Sequence, residues 1–297
     1  MLRNYIKIAF RNLWKNRLFS ALNIVGMGVG IAAVGLMSLY ITHELSYDGF
    51  HVNADRIVRV VHYANWPGGN LQLAPTSAPF AAALKSDYPE VEKTVRIQPE
   101  GGGPITFKDK KLNVDDIMFA DRTMFDVFSF PFLYGDPATA LAQPQCIVIT
   151  KSLAEKLFGN PAKAVGQTIE FSNNFPNRVT GVIADVPANS HLQFSALRSL
   201  SDNYTSGWQN FGMYTYLLLA NGSDPKALQV KLPAFYEKYL KKEMGQLDYR
   251  MELQPLTAIH LNSHLDYELS PNGTLSTVYT FAIVALLILL IAGINYV

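Results

Sequence analysis

Residues 18–43 run for 26 positions without a charged side chain, and the 17 residues before them carry five bases and no acid. A helix of about 20 apolar residues is long enough to cross the hydrocarbon of a bilayer. Backbone amides in lipid must find partners within their own segment, so a helix is the form such a run takes. Basic flanks are held on the cytoplasmic side. Arg3, Lys7, Arg11, Lys15 and Arg17 precede the run, and Glu44, Asp48 and Asp55 follow it. The pattern predicts a transmembrane helix over 18–43 and a cytoplasmic N-terminal arm over 1–17. The chain is uncharged again from Leu269 to Val297, which predicts a second span over 276–297. Residues 44–275 are then expected outside. A cleaved leader has an apolar core of about 7–15 residues and a small-residue site at its end. Here the small residues, Gly26 to Gly35, sit mid-run, so the first span is expected to be an uncleaved anchor.

Beyond the arm, 20 bases face 24 acids. A nucleic-acid binder would carry its basic surface on the folded part, so that class is excluded. About 230 residues between the spans exceed a typical domain of about 100–150, which predicts one large or two small lobes. Cys146 is the only cysteine, so no internal disulfide staples the outer part and its core must be large. Gln145 to Thr150 reads as a buried strand, and no His or Asn constellation accompanies the thiol.

Within residues 2–17, Tyr5, Ile6, Ala9, Phe10, Leu13 and Trp14 fall on one side of a helix, and Lys7, Arg11 and Lys15 on another. A basic amphipathic helix of this kind lies in the membrane interface. Two roles stay open for it: an anchor for the first span, or a cytoplasmic surface that meets a partner protein. His43–His51 reads as the helix running out of the membrane. Farther on, Arg56–Tyr63 reads as a strand, Thr76–Tyr88 as a helix and Val91–Ile97 as a strand. Tyr214–Leu219, a helix from Asp224 to about Lys241, and Tyr249–Gln254 repeat that order. Two β-α-β units predict a split β-α-β, ferredoxin-like lobe over about 56–102 and 206–260. Between them, about 103–205 predicts an inserted, mainly β lobe. Its expected parts are short strands at 105–107, 113–114 and 117–120, a strand Cys146–Thr150, a helix Lys151–Phe158, and a hairpin of Gln167–Phe171 with Arg178–Ile183. Gly101–Gly103 would be a loop at the lobe boundary, a flexible connector or a hinge. The expected fold class is α+β: two membrane helices flanking a two-lobed extracytoplasmic domain.

No chemistry-bearing motif is present: no nucleophile elbow, no P-loop, no dinucleotide fingerprint. His260 and His264 are four apart without an accompanying His-Glu pair, and His43, Glu44, Asp48 and His51 would scatter around a helix. Neither set suits a metal, and the histidines are expected on the surface. Gly26 and Gly30 form a Gly-x-x-x-Gly within the first span, with Gly28, Ala32 and Gly35 nearby. Small residues let helix backbones approach closely in lipid, so Gly26 and Gly30 are the candidate packing residues.

Met1 to Arg17, Asn23 to Ile31, Glu44 to Phe50, Ser152 to Gly159, Thr180 to His191, Gln254 to Leu261 and Leu289 to Val297 together resemble the MacB/FtsX-like permeases of ABC transporters. The resemblance rests on the order and spacing of these pieces over nearly the whole chain. It implies a MacB-like periplasmic core domain over 44–275, a bacterial inner-membrane location, and the N-terminal part of a longer permease with more spans. ATP and Mg would be bound by a separate cytoplasmic ABC ATPase, so no cofactor and no enzymatic activity is expected of this chain itself. Further partners implied are a second permease copy and the lipid bilayer, with a periplasmic or outer-membrane protein as another candidate and no nucleic acid. The anchor residues would be Arg3, Lys7, Arg11, Trp14, Lys15 and Arg17. Motion driven by ATP would pass through the spans to the outer domain. The rival reading is the extracytoplasmic sensor region of a two-pass receptor, which shares the span–domain–span plan.

Overall fold

The computed structural model describes residues 4, 7, 11, 14, 15, 17–171, 175–245 and 247–294. Its helices are α1 (Arg17–Leu45), α2 (Pro79–Asp87), α3 (Met124–Val127), α4 (Lys151–Phe158), α5 (Pro225–Gln229), α6 (Leu232–Phe235), α7 (Lys241–Met244), α8 (Ile259–Asn262) and α9 (Leu275–Ile294). Its strands are β1 (Ile57–Trp66), β2 (Gly69–Leu73), β3 (Val91–Phe107), β4 (Lys110–Ala120), β5 (Phe132–Gly135), β6 (Cys146–Thr150), β7 (Thr168–Phe171), β8 (Phe175–Ile183), β9 (Ala196–Ser199), β10 (Tyr214–Leu219) and β11 (Asp248–Pro255). Two compact units result: Met1–Ser46 with Gly273–Val297, and Tyr47–Asn272.

The first unit holds α1 and α9, of 29 and 20 residues, both apolar and long enough to cross a membrane. Their apolar side chains are mostly exposed: Leu22, Val25, Val29, Leu36 and Leu39 on α1, Leu286, Leu290 and Ile291 on α9. α1 ends at Leu45 and the chain turns from Ser46, so residues 46–51 are turn where the sequence suggested helix.

The second unit is built on one sheet in the order β11-β1-β10-β3-β4-β9-β6-β8-β5, with β2 on β1 and β7 joining β3 and β8. In β11-β1-β10-β3 every neighbour pair is antiparallel. β1 and β3 therefore run parallel on either side of β10, with α2 as their crossover. β10 and β11 flank β1 in the same way, with α5 to α7 between them, so two β-α-β units interleave. Strands covered on both faces read as continuous apolar runs, and all six residues of β10 are buried. Val58, Val60, Leu217 and Leu219 face α2, α6 and the turn after it through Phe80, Leu84, Leu232, Phe235 and Leu240. Each such side chain taken from water stabilises the fold by about 1.5–3 kcal/mol. The opposite face joins both ends of the sheet in one core that includes Ile57, Val95, Ile97, Val148, Leu197, Tyr216 and Leu256. A third core seats α4 by Leu153 and Leu157 on Ile147, Ile149 and Val182.

Local chemistry sets the ends of these elements. The Asp224 carboxylate accepts from the Lys226 N–H at 2.9 Å and starts α5, which caps a helix by about 1 kcal/mol. The long helix expected over 224–241 is instead broken into α5, α6, a π-turn at Tyr236–Leu240, and α7. Pro233 cannot supply an N–H to a continuing helix, which explains the restart at Leu232. α4 ends on Gly159 at φ 74°, a left-handed cap. Gly101–Gly103 is not a loop: it lies inside β3, where the ladder with β4 shifts register twice. Gly101 takes φ 82°, and a Cβ on Gly102 would fall 2.8 Å from the Asp115 Cα. The expected boundary at 102/103 thus falls mid-strand. The sheet edge at β11 is capped at its middle by one side chain: Gln229 donates to Met251 O at 2.9 Å and accepts from Leu253 N at 2.6 Å, as a neighbouring strand would.

Candidate functional site

Lys7, Arg11, Trp14, Lys15 and Arg17 lie on helical backbone and are exposed; Arg3 lies outside the described residues. On α1, Gly30 faces α9: a Cβ placed on it would lie 3.4 Å from Ile288 Cγ2 and 3.8 Å from Ala292 Cβ. A Cβ on Gly26 would meet nothing within 4 Å. Both glycines line a groove of about 480 Å³ with Phe19, Asn23, Met27 and Ile291. Toward the other end, the Tyr40 and Phe281 rings pack with centroids 4.9 Å apart.

The second unit carries its unusual chemistry where its chain begins and ends. Asp48 is fully buried and holds φ 58°, a conformation costly for most residues and tolerated by aspartate. Its N–H donates to Asn189 O at 2.9 Å. Its carboxylate accepts from Ser190 Oγ at 3.2 Å and from the His191 N–H at 3.1 Å, and Oδ2 lies 2.9 Å from His191 Nδ1. His191 Nε2 is 2.8 Å from the Tyr216 hydroxyl. Tyr216 pairs in register with Arg59 across β10 and β1, and the phenol and guanidinium interact electrostatically. Arg59 then grips Glu268 with both ends of its fork, at 2.7 and 2.8 Å. It also reaches Gln254 Oε1 at 2.7 Å and Ser263 Oγ at 3.1 Å. Asn272 Nδ2 donates to Ser263 O at 2.6 Å.

Asp48 Oδ2 and His191 Nδ1 meet as a close electrostatic contact without hydrogen-bond alignment. Arg59 only donates, so the Tyr216 O–H turns toward His191 Nε2. Burial pushes the Tyr216 phenol up. Burial opposes the Arg59 charge, but the Glu268 hydrogen bonds and the Tyr216 oxygen outweigh it and raise its pKa. A phenol that is fully enclosed and hard to ionise holds a position; it does not react. Beside the row, the Tyr47 and His260 rings stack at 3.4 Å, nearly parallel. His51 accepts from the Ser129 N–H at 3.0 Å and abuts Phe128 and Phe130 edge-on. Burial, against the opposing Asp48 charge, lowers its pKa to about 4.

His51, His62, His191 and His260 are thus buried, contrary to the surface placement expected from sequence. The reason is tertiary: each sits against rings or polar groups from distant segments. Among the described residues no group of three or more His, Cys, Asp or Glu is placed to hold a metal. Sequence reasoning passed over Arg59, Tyr216 and Glu268. One signal was available, since Arg59 is the lone polar side chain in the stretch Ile57-Val-Arg-Val-Val61 at the start of β1.

A family model, the MacB-like periplasmic core domain, matches residues 20–235. The pyoverdine export ATP-binding/permease protein PvdT of Pseudomonas aeruginosa is 24% identical over 259 residues, 83% of this chain and 37% of that protein. The chain therefore spans little more than a third of that relative's length. A solved domain of a candidate permease protein from Porphyromonas gingivalis superposes with a TM-score of 0.60 at 22% identity, covering 69% of this chain and 91% of that one. The periplasmic region of MacB from Actinobacillus actinomycetemcomitans gives 0.45 at 17%, covering 65% and 87%.

Proposed function

Because the chain belongs to the family of MacB-like periplasmic core domains of ABC transporter permeases, we propose that it transmits ATP-driven motion from a cytoplasmic ATPase to its outer domain. In this reading α1 and α9 cross the bacterial inner membrane, the basic arm stays in the cytoplasm, and Tyr47–Asn272 works in the periplasm. The ATPase is a separate subunit that binds ATP and Mg, and a second permease copy completes the assembly. A periplasmic or outer-membrane protein receives the work. The outer domain moves as one piece, because a single sheet and a core shared by both of its ends run through 56–102, 103–205 and 206–260. PvdT joins ATP-binding and permease in one name and exports pyoverdine; for this chain export or extraction of a substrate is the corresponding proposal. The receptor reading has no specific observation in its favour.

One observation carries the proposal. Asp48 stands three residues after α1 and Glu268 seven before α9, and the row Asp48–His191–Tyr216–Arg59–Glu268 ties both into a single buried core. Any displacement entering at one connector is then delivered to the sheet and to the other connector, because close-packed interiors transmit strain instead of absorbing it.

The test uses the full chain with its ATPase in nanodiscs, reading hydrogen exchange at 189–192 and 214–218 with and without ATP. ATP-dependent change there, abolished in Tyr216→Phe, is the expected result; identical exchange in both states would sink the transmission reading. Orientation is tested separately with Lys111→Cys in intact cells. An impermeant maleimide should label it, while Cys146, buried in β6, stays unlabelled until the domain unfolds.

A further inference from the structure

A groove on the second unit, apart from the buried row, has the make-up of a peptide-binding site. A cavity of about 750 Å³ lies beneath β2 and continues into a second of about 300 Å³ toward the tip of the β1–β2 hairpin. Leu71, Gln209 and Phe211 line both. The larger cavity is lined without a charged side chain, by tyrosines, side-chain amides and aliphatic groups. Its rim carries Tyr204, Tyr267 and Gln98, whose hydroxyls and amide make no hydrogen bond to the rest of the described chain. Tyr267 is 74% exposed, more than packing of the fold requires. Rigid aromatic side chains with free polar tips are what interfaces use for recognition.

The same groove is bordered by an open strand edge. β2 pairs only with β1, and on its outer side it meets a single residue, Asp266. Asp266 N–H donates to Gln72 O at 2.8 Å, and Ala74 N–H donates to Asp266 O at 3.2 Å. Even-numbered residues of β2 therefore turn their main-chain groups away from β1. By the same alternation Asn70 presents both its N–H and its C=O outward, and no described main-chain group meets them. An unpaired edge is a template for an added strand. A strand laid along it would send alternate side chains into the groove, where Leu71 and Phe211 wait.

We propose that the β2 edge and the aromatic–amide groove beneath it bind an extended, uncharged peptide segment by strand addition. The main-chain groups of Asn70 supply register, the tyrosine rings supply contact area, and the uncharged lining of the larger cavity selects against acidic and basic side chains, whose desolvation it could not offset; Glu243 on the smaller cavity adds to the rejection of acidic ones. The proposal goes beyond the transmission function and does not depend on it, since binding requires neither ATP nor an ATPase.

The test is calorimetry on the full chain in nanodiscs with an end-blocked decapeptide in which tyrosine and valine alternate with threonine and serine. Saturable binding is expected. It should weaken by about tenfold or more when every peptide nitrogen is methylated, and by a similar factor when glutamate replaces valine, whose side chain enters the groove. On the protein, Asn70→Pro removes the outward donor without touching a β1 ladder bond, and Tyr204→Ala removes a ring without altering backbone. Each should cost about tenfold while the melting temperature stays within a few degrees of the parent. Failure of the parent peptide to saturate overturns the proposal. So does methylated or acidic peptide binding equally well, or Asn70→Pro and Tyr204→Ala both binding as the parent does.

Discussion

At the β11-β1-β10-β3 end of the sheet Arg59 is fully buried, and its carboxylate partner, Glu268, comes from the irregular segment ahead of α9. At the other end Arg198 of β9 is held by Asn177 of β8 and Glu100 of β3, with Phe119 and Phe171 on its faces. The two arginines look alike in burial and differ in what they hold. Arg198 ties strands that their own ladders already fix. Arg59 ties down a segment whose main chain joins the sheet at Asp266, against the edge of β2, and whose other ties run through the side chains of Ser263, Glu268 and Asn272. Buried charge at one end of the sheet reinforces; at the other it positions.

The largest expected effect follows. Arg59→Met leaves Glu268 as an uncompensated, largely buried carboxylate, and breaking such a pair costs about 3–5 kcal/mol. Arg198→Met keeps a side chain between the two rings and leaves Glu100 one-fifth exposed, so about 1–3 kcal/mol is expected. Guanidinium unfolding of the full chain in detergent measures both. Equal losses would mean that the two ends handle charge alike, and the contrast would fail.

Much of the frame was legible in the sequence because it rests on local rules. The uncharged runs, β6, α4 with its Gly159 end, and β10 follow from composition, periodicity and caps within a few residues of each other. The interleaved order of β1, β3, β10 and β11 was legible from the two β-α-β patterns. The buried row was not, because Asp48 meets His191 across 143 positions of chain and Arg59 meets Glu268 across 209, and each is an ordinary polar residue in its own neighbourhood. Gly101–Gly103 misled for a related reason. Three glycines signal a loop locally, yet Asp115 crosses so close to Gly102 that only glycine fits in the strand there.

The same contrast predicts where acid acts. His62 on β1 is enclosed, donating from Nε2 to Pro75 O at 2.7 Å and meeting the Tyr249 hydroxyl at Nδ1; burial lowers its pKa to about 4. His51 sits at about 4 as well, also through burial. Unfolded, each titrates near 6.5. The unfolded chain therefore binds more protons between about 4 and 6.5, so stability is full above that window and falls as pH drops through it. The loss approaches about 3 kcal/mol per histidine. Unfolding midpoints recorded from pH 7.5 to 4.5 should fall, and His62→Gln should flatten the curve. A flat parent curve would show that these imidazoles are not held neutral by the fold.

A smaller effect tests the edge at β11. Gln229→Ala leaves Met251 O and Leu253 N to solvent and should cost about 1 kcal/mol. Because the bare edge can then pair with another chain, the variant should also self-associate at concentrations where the parent does not, as read by light scattering. A monodisperse Gln229→Ala variant would mean that β11 is protected by something other than this one amide.

The smallest effect concerns α1 and α9, where the two glycines singled out in the sequence part company. A methyl group at Gly30 would just touch Ile288, whereas Gly26 opens onto the groove. Gly30→Leu should therefore force the helices apart at a cost of about 1 kcal/mol, in line with the modest energies of helix contacts in lipid, and Gly26→Leu should leave the pair intact. The readout is a short bifunctional thiol reagent on Tyr40→Cys, Phe281→Cys in a Cys146→Ala background, in native membranes. Cross-linking should drop severalfold with Gly30→Leu and be unchanged with Gly26→Leu. Should Gly26→Leu alone abolish it, the face of α1 that meets α9 is one turn away from Gly30. The groove at Gly26 would then be part of the helix contact itself, and the stiffness of the pair would rest on residues nearer the basic arm.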